Sequence, residues 1–398
     1  MFNRRDFLRT SSLLALAPTV PAFLTAAARA APPQRDGRVL VVIELNGGND
    51  GINTVVPFTD EGYAKNRKSL RLPANQLLKI NDQVGLHPAL RGAAKLLESN
   101  RLVIVQGVGY PNSNRSHFQS MAIWQSGRMR PAPDNLGWLG AALDGGSSPA
   151  DGSPAAVLSG FDNLPLALGG RHCRAAAMTR LDDLVLHGSV DLQRAFAAHD
   201  TADDLKSFVR RSFLDAYATA DRLRAVVGTS DRGAAYPQTQ LGERLRLVAQ
   251  LLKGGLGTRV YYAIHRGYDT HYAQIPTHSM LLGELSGALK AFLDDLAAAE
   301  LAERVLVFCF SEFGRPVQEN GSEGTDHGTA GPVLLAGPHV KAGLVGTTPS
   351  LTDLDPHGDL KVGLDFRQVY ASVLEDWLDL PSKPVLGADF AKLSLFRS

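Results

Sequence analysis

The chain has 398 residues, with 41 lysine or arginine and 40 aspartate or glutamate residues, so its formal net charge is +1. This even balance, without a basic block or a basic surface rich in aromatic residues, argues against nucleic acid as a partner. Two cysteines, Cys173 and Cys309, exclude a small fold held together by disulfides, and the length suits one large α/β domain or two modest ones.

The N-terminal segment has the pattern of an export signal. The motif RRDFL is followed by an apolar segment and by small residues up to Ala30, where cleavage is expected. The motif resembles the twin-arginine signal, so we predict that residues 1–30 direct export of the folded protein through the twin-arginine machinery. An ordinary secretory signal or a short membrane anchor is the alternative. The mature protein would be periplasmic or secreted, and Pro18 and Pro21 argue against a stable membrane span.

Apolar runs along the rest of the chain predict interior strands at Val39–Leu45, Leu102–Gln106, Arg259–Ile264, Arg304–Phe310 and Pro332–Ala336. Helical periodicity between them predicts helices at His87–Ser99, Ser116–Gln125, Asp191–His199, Ala202–Val227, Gln238–Lys253, Met280–Ala299 and Phe366–Leu380. Strands that are apolar throughout and alternate with helices predict a mostly parallel sheet covered on both faces. We expect residues 31–398 to form a single α/β domain with a helix-rich cap or insertion over about 150–253, after a stretch rich in Gly, Ser and Pro.

Polar clusters follow the predicted strands at the points where the strands end. Their sequences are NGGND, GVGYPNSNRSHF, HRGYDTH and SEFGR, and GSEGTDHGT lies in the loop before the last strand. In an open parallel sheet, ligands bind beyond the carboxyl ends of the strands. We therefore expect these clusters to converge on one site.

Carboxylates and histidines in these clusters predict a divalent metal site. Asp269 and His271 are two residues apart, a spacing that places both side chains on the same side of an extended segment. Glu312 directly follows a buried strand, and Asp326 and His327 add an oxygen and a nitrogen. Mixed carboxylate and imidazole ligands suit zinc, manganese or iron.

Each of these residues also has a structural interpretation. Asp269 could cap a helix, His271 could be a hydrogen-bonded loop histidine, and Glu312 could pair with Arg315. Their position at consecutive strand ends favours the metal site over these separate roles. His87, before Pro88, is interpreted as a helix entry.

Ser116 in the stretch NRSHF is the candidate nucleophile. It lies where a helix is predicted to begin, and backbone amides at a helix N-terminus favour an anion. An activated hydroxyl there could attack phosphorus or sulfur, although a serine at this place is also a common N-cap. His117 could support Ser116. Arg115 and Arg315 are candidate clamps for an oxyanion or, alternatively, members of structural ion pairs.

The stretch NGGND predicts a tight turn that carries ligand oxygens. Gly47 and Gly48 would allow the backbone to pass beneath an ion or anion, while Asn46, Asn49 and Asp50 supply oxygens or amide donors. The alternative is a glycine turn in which asparagine side chains bond their own backbone.

Motifs over nearly the whole chain resemble a family of uncharacterised proteins, DUF1501. The stretches that carry the resemblance are RRDFLR, ELNGGNDGINTVVP, GLHPAL, QGVGYPNSNRSHFQSMAIWQSG, GWLG, GLGTRVYY, GYDTHYAQ, FSEFGRPVQENGSEGTDHGT and DFRQVYASVLEDWL. The family resembles a distant branch of the alkaline phosphatase and sulfatase-like superfamily. The resemblance implies a three-layer α/β/α sandwich and a divalent-metal hydrolase site.

Individual residues take the places that the superfamily pattern implies. Asn46 or Asp50 would be the ligand after the first strand, Ser116 the nucleophile, Asp269 and His271 the aspartate–histidine pair, and His327 the final histidine. Glu312 falls where an Asp-His dipeptide is expected. Phe313 stands in place of its histidine, so the motifs supply ligands for one metal ion and incompletely for a second.

The sequence thus predicts an exported hydrolase of phosphate or sulfate esters that depends on zinc or manganese and acts on a small-molecule or glycan ester. One alternative is a serine esterase acting on cell-surface glycans. The GGND string resembles a block of the SGNH hydrolases, but no GDS motif precedes it. The other alternative is a non-catalytic envelope or assembly protein that keeps a metal for stability.

Overall fold

The structure, a computed structural model, describes residues 37–130, 136–146, 149, 153–161, 163–173, 175–179 and 234–397. The predicted export signal at residues 1–30 and the predicted helices Asp191–His199 and Ala202–Val227 lie outside the described residues. Among the residues that the structure describes, no helix combines the length and the apolar character needed to cross a membrane.

A mixed, mostly parallel sheet forms the centre of the molecule. In chain order the strands are β1 (Val39–Asn46), β2 (Val55–Val56), β3 (Leu78–Lys79), β4 (Gly85–Leu86), β5 (Leu102–Gly109), β6 (Ala156–Ser159), β7 (Ala175–Met178), β8 (Val260–Arg266), β9 (Val305–Phe310), β10 (Gly331–Ala336), β11 (Gly343–Val345) and β12 (Leu364–Asp365). The main sheet has the order β11-β5-β10-β9-β1-β8-β6-β7, with β12 also paired to β5. Only β10 runs antiparallel to its neighbours among the described strands of this sheet. Strands β2, β4 and β3 form a small antiparallel sheet.

Helices cover both faces of the main sheet. They are α1 (Gly51–Thr54), α2 (Glu61–Asn66), α3 (Arg91–Glu98), α4 (His117–Ser126), α5 (Trp138–Asp144), α6 (Gln240–Lys253), α7 (Gln274–Ala298), α8 (Phe366–Ser372) and α9 (Lys383–Leu386). Helix α8 continues into a π-helical turn at Val373–Trp377, and short 3₁₀ turns lie at Leu166–Leu168 and Ala302–Arg304. Helix α7 begins at Gln274, ahead of the predicted Met280. Pro276 is compatible with this start because it lies in the first turn, where no backbone N–H is needed.

Strand β1 shows why the apolar runs are continuous. Val41 and Ile43 pack on one face of the sheet with α3, α6 and α7. Leu40 and Val42 pack on the other face with α4, α5 and α8. Because both faces are covered, every position except the end of the strand is buried, and an alternating pattern would leave polar groups in a core. The layers confirm the predicted α/β/α sandwich.

Part of the predicted helix-rich insertion over about 150–253 belongs to the main fold. Strands β6 and β7 extend the sheet beyond β8, and helix α6 packs on α7 and β8. Residues 180–233, the centre of that predicted insertion, lie outside the described residues.

Candidate metal centre

A cluster of histidine and aspartate side chains lies on the segments that follow β5, β8 and β9. His117 is the first residue of α4, Asp269 and His271 lie on the loop between β8 and α7, and His327 lies on the loop between β9 and β10. The ligand atoms of His117, Asp269 and His327 all lie within 4.8 Å of one another. The convergence of strand-end clusters thus brings together side chains from three separate segments.

The three imidazole Nε2 atoms surround one carboxylate. His117 Nε2 lies 3.3 Å from Asp269 Oδ2, and His327 Nε2 lies 3.2 Å from Asp269 Oδ1. His271 Nε2 lies 2.9 Å from Asp269 Oδ1 and 2.9 Å from His327 Nε2. Ligand atoms of a tetrahedral zinc ion are separated by about 3.3 Å, since zinc–nitrogen bonds are about 2.0–2.1 Å long. The distances from the three Nε2 atoms to the Asp269 carboxylate, 2.9 to 3.3 Å, are close to this value.

Hydrogen bonds behind the histidines orient their rings. His117 Nδ1 lies 2.8 Å from Glu312 Oε1, and His327 Nδ1 lies 2.7 Å from the backbone oxygen of Arg115. Because each of these oxygens accepts a hydrogen bond from Nδ1–H, a neutral ring carries its lone pair on Nε2, which faces the cluster, as in metal-binding histidines. The Nε2 of His117 is buried and has no hydrogen-bond partner among the described residues. A bound metal ion would satisfy it.

The surroundings set the charge of the cluster. Burial opposes ionisation of Asp269, but the hydrogen bond and positive charge of Arg315 outweigh it and hold the pKa of that carboxyl below its usual range. Burial lowers the pKa of His327 and favours its neutral form. The hydrogen bond to Glu312 raises the pKa of His117 above its ordinary value, so a proton competes with a metal ion there.

Arg315 ties the loops of the cluster together. Its buried guanidinium donates to the backbone oxygens of Gly47, Gly48 and Tyr268 and to the Asp269 carboxylate at 2.8 Å. It also donates to the backbone oxygens of Thr325 and Asp326. All of its nitrogens donate to atoms of the protein, so Arg315 links the loops of the site. The sequence left open an oxyanion clamp or a structural ion pair for Arg315, and the structure places it in an ion pair with Asp269.

Asp50, a predicted metal ligand, lies outside the cluster. Its Oδ2 forms a salt bridge of 2.6 Å with Arg67, and neither side chain is exposed to solvent. Asp50 also accepts hydrogen bonds from Gln274 Nε2 at 2.5 Å and from the backbone N–H of Asn53 at the start of α1. Burial opposes its ionisation, but Arg67 outweighs burial and lowers the pKa of Asp50. Its charge is therefore neutralised within the protein.

The other predicted ligands occupy supporting positions. Asn46 Nδ2 donates to Glu44 Oε1 at 3.0 Å, on the strand below the cluster. The Glu312 carboxylate accepts a hydrogen bond from the Gly47 N–H at 3.0 Å and contacts His117, so it lies behind one of the candidate ligands. Asp326 is exposed, with Oδ1 3.4 Å from His271 Nδ1. These residues lie outside the group formed by His117, Asp269 and His327.

The glycines of NGGND allow other loops to approach. Gly47 has φ +122°, and a Cβ there would lie 2.5 Å from the backbone nitrogen of Asp269. Gly48 has φ +73°, and a Cβ there would lie 2.3 Å from the Phe313 ring. That ring in turn packs against His117, with the ring centroids 4.9 Å apart. The turn therefore leaves room for the loop that carries Asp269 and for the Phe313 ring, which packs against His117.

The family follows from comparison of the whole sequence. Residues 38–387 match the family described as "Protein of unknown function (DUF1501)". The chain belongs to the DUF1501 family. A comparison with curated protein sequences finds no match for this DUF1501 chain.

Some solved structures are distantly similar to this DUF1501 protein. Ps i-CgsB in complex with k-i-k-neocarrahexaose is 9% identical, with 90% of this chain and 76% of that chain covered and a TM-score of 0.40. The PsFucS1 sulfatase from Pseudoalteromonas sp. is 14% identical, with coverage of 90% and 71% and a TM-score of 0.38. The zinc complex of the C-terminal periplasmic domain of EcEptC from Escherichia coli is 9% identical, with coverage of 77% and 75% and a TM-score of 0.34. Likenesses this distant say nothing about the chemistry of the present chain.

Ser116 directly precedes His117 in the chain. It is the N-cap residue of α4, yet its side chain makes no capping hydrogen bond, and Asn114 Oδ1 accepts the Ser116 backbone N–H at 2.8 Å. Its hydroxyl is therefore not used in capping. The neighbouring Arg115 side chain is 41% exposed and pairs with Asp359.

His117 is the ligand candidate that the sequence interpretation missed, because it was assigned only a supporting role beside Ser116. A signal was present in its position, directly after a polar strand-end loop and at the start of a helix. The direction of its Nε2 depends on Glu312, which is 195 residues away in the chain.

Proposed function

We propose that this DUF1501 protein is an exported, metal-dependent hydrolase of phosphate or sulfate esters with Ser116 as its nucleophile. The observation that carries the proposal is the convergence of three imidazole Nε2 atoms on the Asp269 carboxylate. The hydrogen bonds behind His117 and His327 support it because they hold the rings in the orientation of metal ligands.

The ligands proposed for the metal ion are His117, Asp269 and His327, with His271 beside them. Imidazole nitrogens and one carboxylate oxygen in a cluster of this size suit zinc better than manganese, which prefers oxygen ligands. A bound ion would act as a Lewis acid and neutralise charge on the oxygens of an ester. We propose one such ion, since the described residues gather a single group of this kind.

The start of α4 is proposed to bind the anionic part of the substrate. The first backbone N–H groups of a helix have no partner within the helix, and the helix dipole places positive charge there. An ester phosphate or sulfate at this position would lie beside the Ser116 hydroxyl. Attack by Oγ on phosphorus or sulfur would form a bond to Ser116 and break the bond to the alcohol oxygen, while Ser116 loses its hydroxyl proton and the departing oxygen gains a proton. Water would then hydrolyse the covalent ester on Ser116 and restore its hydroxyl.

The exposure of the cluster favours an accessible ester substrate. The Asp269 and His271 side chains are 46% and 42% exposed, so the proposed centre opens directly to solvent. This is compatible with an ester on a small molecule or at the surface of a glycan. Export through the twin-arginine machinery remains part of the proposal on the basis of the sequence alone.

Elemental analysis and an ester panel test the proposal. The wild type, His327→Ala and Ser116→Ala would be equilibrated with zinc, desalted and assayed with 4-nitrophenyl phosphate and 4-nitrophenyl sulfate. We expect about one zinc per chain in the wild type and Ser116→Ala and much less in His327→Ala, and we expect hydrolysis by the wild type but by neither of these two variants. His339→Ala is the matched control because His339 is a surface histidine paired with Glu303.

Three outcomes would contradict the proposal in different ways. A folded wild type that takes up no zinc removes the metal centre. Bound zinc without turnover on any ester favours the non-catalytic binding protein. Hydrolysis that survives chelation but is lost in Ser116→Ala favours the serine esterase.

A further inference from the structure

Gln274 joins two loops of the cluster without touching the metal ligands themselves. It is the first residue of α7 and is 1% exposed. Its Oε1 accepts hydrogen bonds from the hydroxyls of Thr270, at 3.0 Å, and Thr325, at 2.6 Å. Its Nε2 donates to Asp50 Oδ2 at 2.5 Å. One amide therefore has partners in three separate segments.

The two threonines lie next to the candidate ligands. Thr270 stands between Asp269 and His271, and Thr325 is two residues before His327. A backbone hydrogen bond also joins the two loops, since the Thr325 N–H donates to the Thr270 carbonyl oxygen at 3.2 Å. A shift at Gln274 would therefore change the separation between the two ligand loops.

Asp50, the third partner of the Gln274 amide, connects this amide to the protein core. Asp50 is fixed by Arg67, which also donates to the backbone oxygens of Pro316 and Val317 at 2.8 Å each. The residue before Gln274, Ala273, adopts a left-handed backbone with φ +42°, and its N–H donates to the Ser322 oxygen. A non-glycine residue in this conformation is strained, and such strain persists where the surroundings over-determine it.

We propose that Gln274 is a positioning residue for the metal centre, acting through a clasp formed by Gln274, Asp50, Thr270 and Thr325. The inference rests on the metal site of the proposed function. An uncharged amide is required because the position must donate to a carboxylate and accept from two hydroxyls at the same time. Glutamate could not donate, and an apolar side chain would leave buried hydroxyls unpaired.

Cobalt binding and hydrogen exchange test the clasp. The variants are Gln274→Met, which keeps the length of the side chain, and Thr325→Val, which removes one hydroxyl. Thr325→Ser restores that hydroxyl. Thr258→Val is the matched control, because Thr258 is equally buried and its hydroxyl donates to the Pro154 oxygen, away from the site.

Cobalt(II) would be titrated into each metal-free protein while its visible spectrum reports the coordination geometry. We expect Gln274→Met and Thr325→Val to bind cobalt about tenfold more weakly and with an altered spectrum. Exchange should also become faster in residues 268–272 and 324–328 of the metal-free variants. Thr325→Ser and Thr258→Val should behave as the wild type in both measurements.

Unchanged cobalt affinity in Gln274→Met and Thr325→Val, with the wild type binding normally, would refute the clasp and leave the proposed metal centre intact. An equal loss in Thr258→Val would also refute it, because the effect would then be general. A wild type that binds neither cobalt nor zinc would overturn both the metal centre and this inference. The exchange measurement needs no metal, so unchanged exchange rates of the two ligand loops in Gln274→Met would refute the clasp by themselves.

Discussion

At the scale of single residues, the pairing of His117 with Glu312 determines which ring nitrogen of His117 faces the cluster. A histidine at the first position of a helix commonly faces solvent, but here a carboxylate holds its Nδ1 and directs Nε2 inward. The Glu312 carboxylate is itself fixed by the Gly47 N–H and the Ser311 hydroxyl. The negative charge on this pair should strengthen a metal–imidazole bond.

We predict that Glu312→Gln weakens zinc binding by about 10- to 100-fold while the metal-free protein keeps its fold. Glutamine retains the shape of the side chain and can still accept a hydrogen bond, but it lacks the charge. Competition with a chromophoric chelator measures the affinity. Glu284→Gln is the control, since Glu284 also pairs with a histidine, His265, outside the cluster; similar losses in both variants would contradict a special role for Glu312.

The turn after β1 shows at the scale of an element why glycine is needed. The polypeptide must leave the strand at Asn46 and pass within contact distance of the loop that carries Asp269. A side chain at Gly47 would require both an unfavourable φ and a displacement of backbone atoms, and backbone cannot move aside as a flexible side chain can.

We predict that Gly47→Ala lowers both stability and metal affinity, whereas Gly343→Ala lowers stability alone. Both glycines have φ +122°, but a Cβ at Gly343 meets no atom within 4 Å. The strain of this φ costs about 1–3 kcal/mol in each variant, and only Gly47→Ala adds the clash with the Asp269 loop. Urea denaturation and zinc titration check the pair. Equal zinc affinities in the two variants would show that the approach of the two segments does not matter.

Buried histidines make the stability of the whole molecule depend on pH. His87 and His278 lie edge to face with ring centroids 5.8 Å apart, and each is almost completely buried. Burial lowers the pKa of each to about 4, from an ordinary value of 6.5. Between these values the unfolded chain binds more protons than the folded one, so stability falls as the pH falls through this window.

We predict that the metal-free protein loses about 1.4 kcal/mol of stability per pH unit for each of these histidines between pH 6.5 and 4. His278→Gln should remove one such contribution and flatten the profile. Urea denaturation at several pH values measures the slope, which separates this effect from any constant loss caused by the lost contact with Asn49. Parallel profiles for the wild type and His278→Gln would contradict the prediction.

The sequence by itself determined the layers of the fold and the edge of the sheet where chemistry is concentrated. Strand β1 is apolar at successive positions because both of its faces are covered, and this burial is recorded locally in the residues. The polar stretches with Asp269 and His327 can also be recognised locally, because each follows an apolar run that predicts a strand. Their convergence could then be predicted, because ligands bind beyond the carboxyl ends of the strands in such a sheet. The family also followed from motifs along the chain.

The tertiary structure alone decided which role each polar side chain has at this edge of the sheet. Asp50 and Asp269 both follow strands and carry the same charge, yet Arg67 neutralises the first in the core while histidines surround the second. His117 became a ligand candidate only because Glu312 lies behind it. A side chain's role depends on which atoms lie within hydrogen-bonding distance and on whether water is excluded. Those partners come from distant parts of the chain, so only the folded arrangement fixes them.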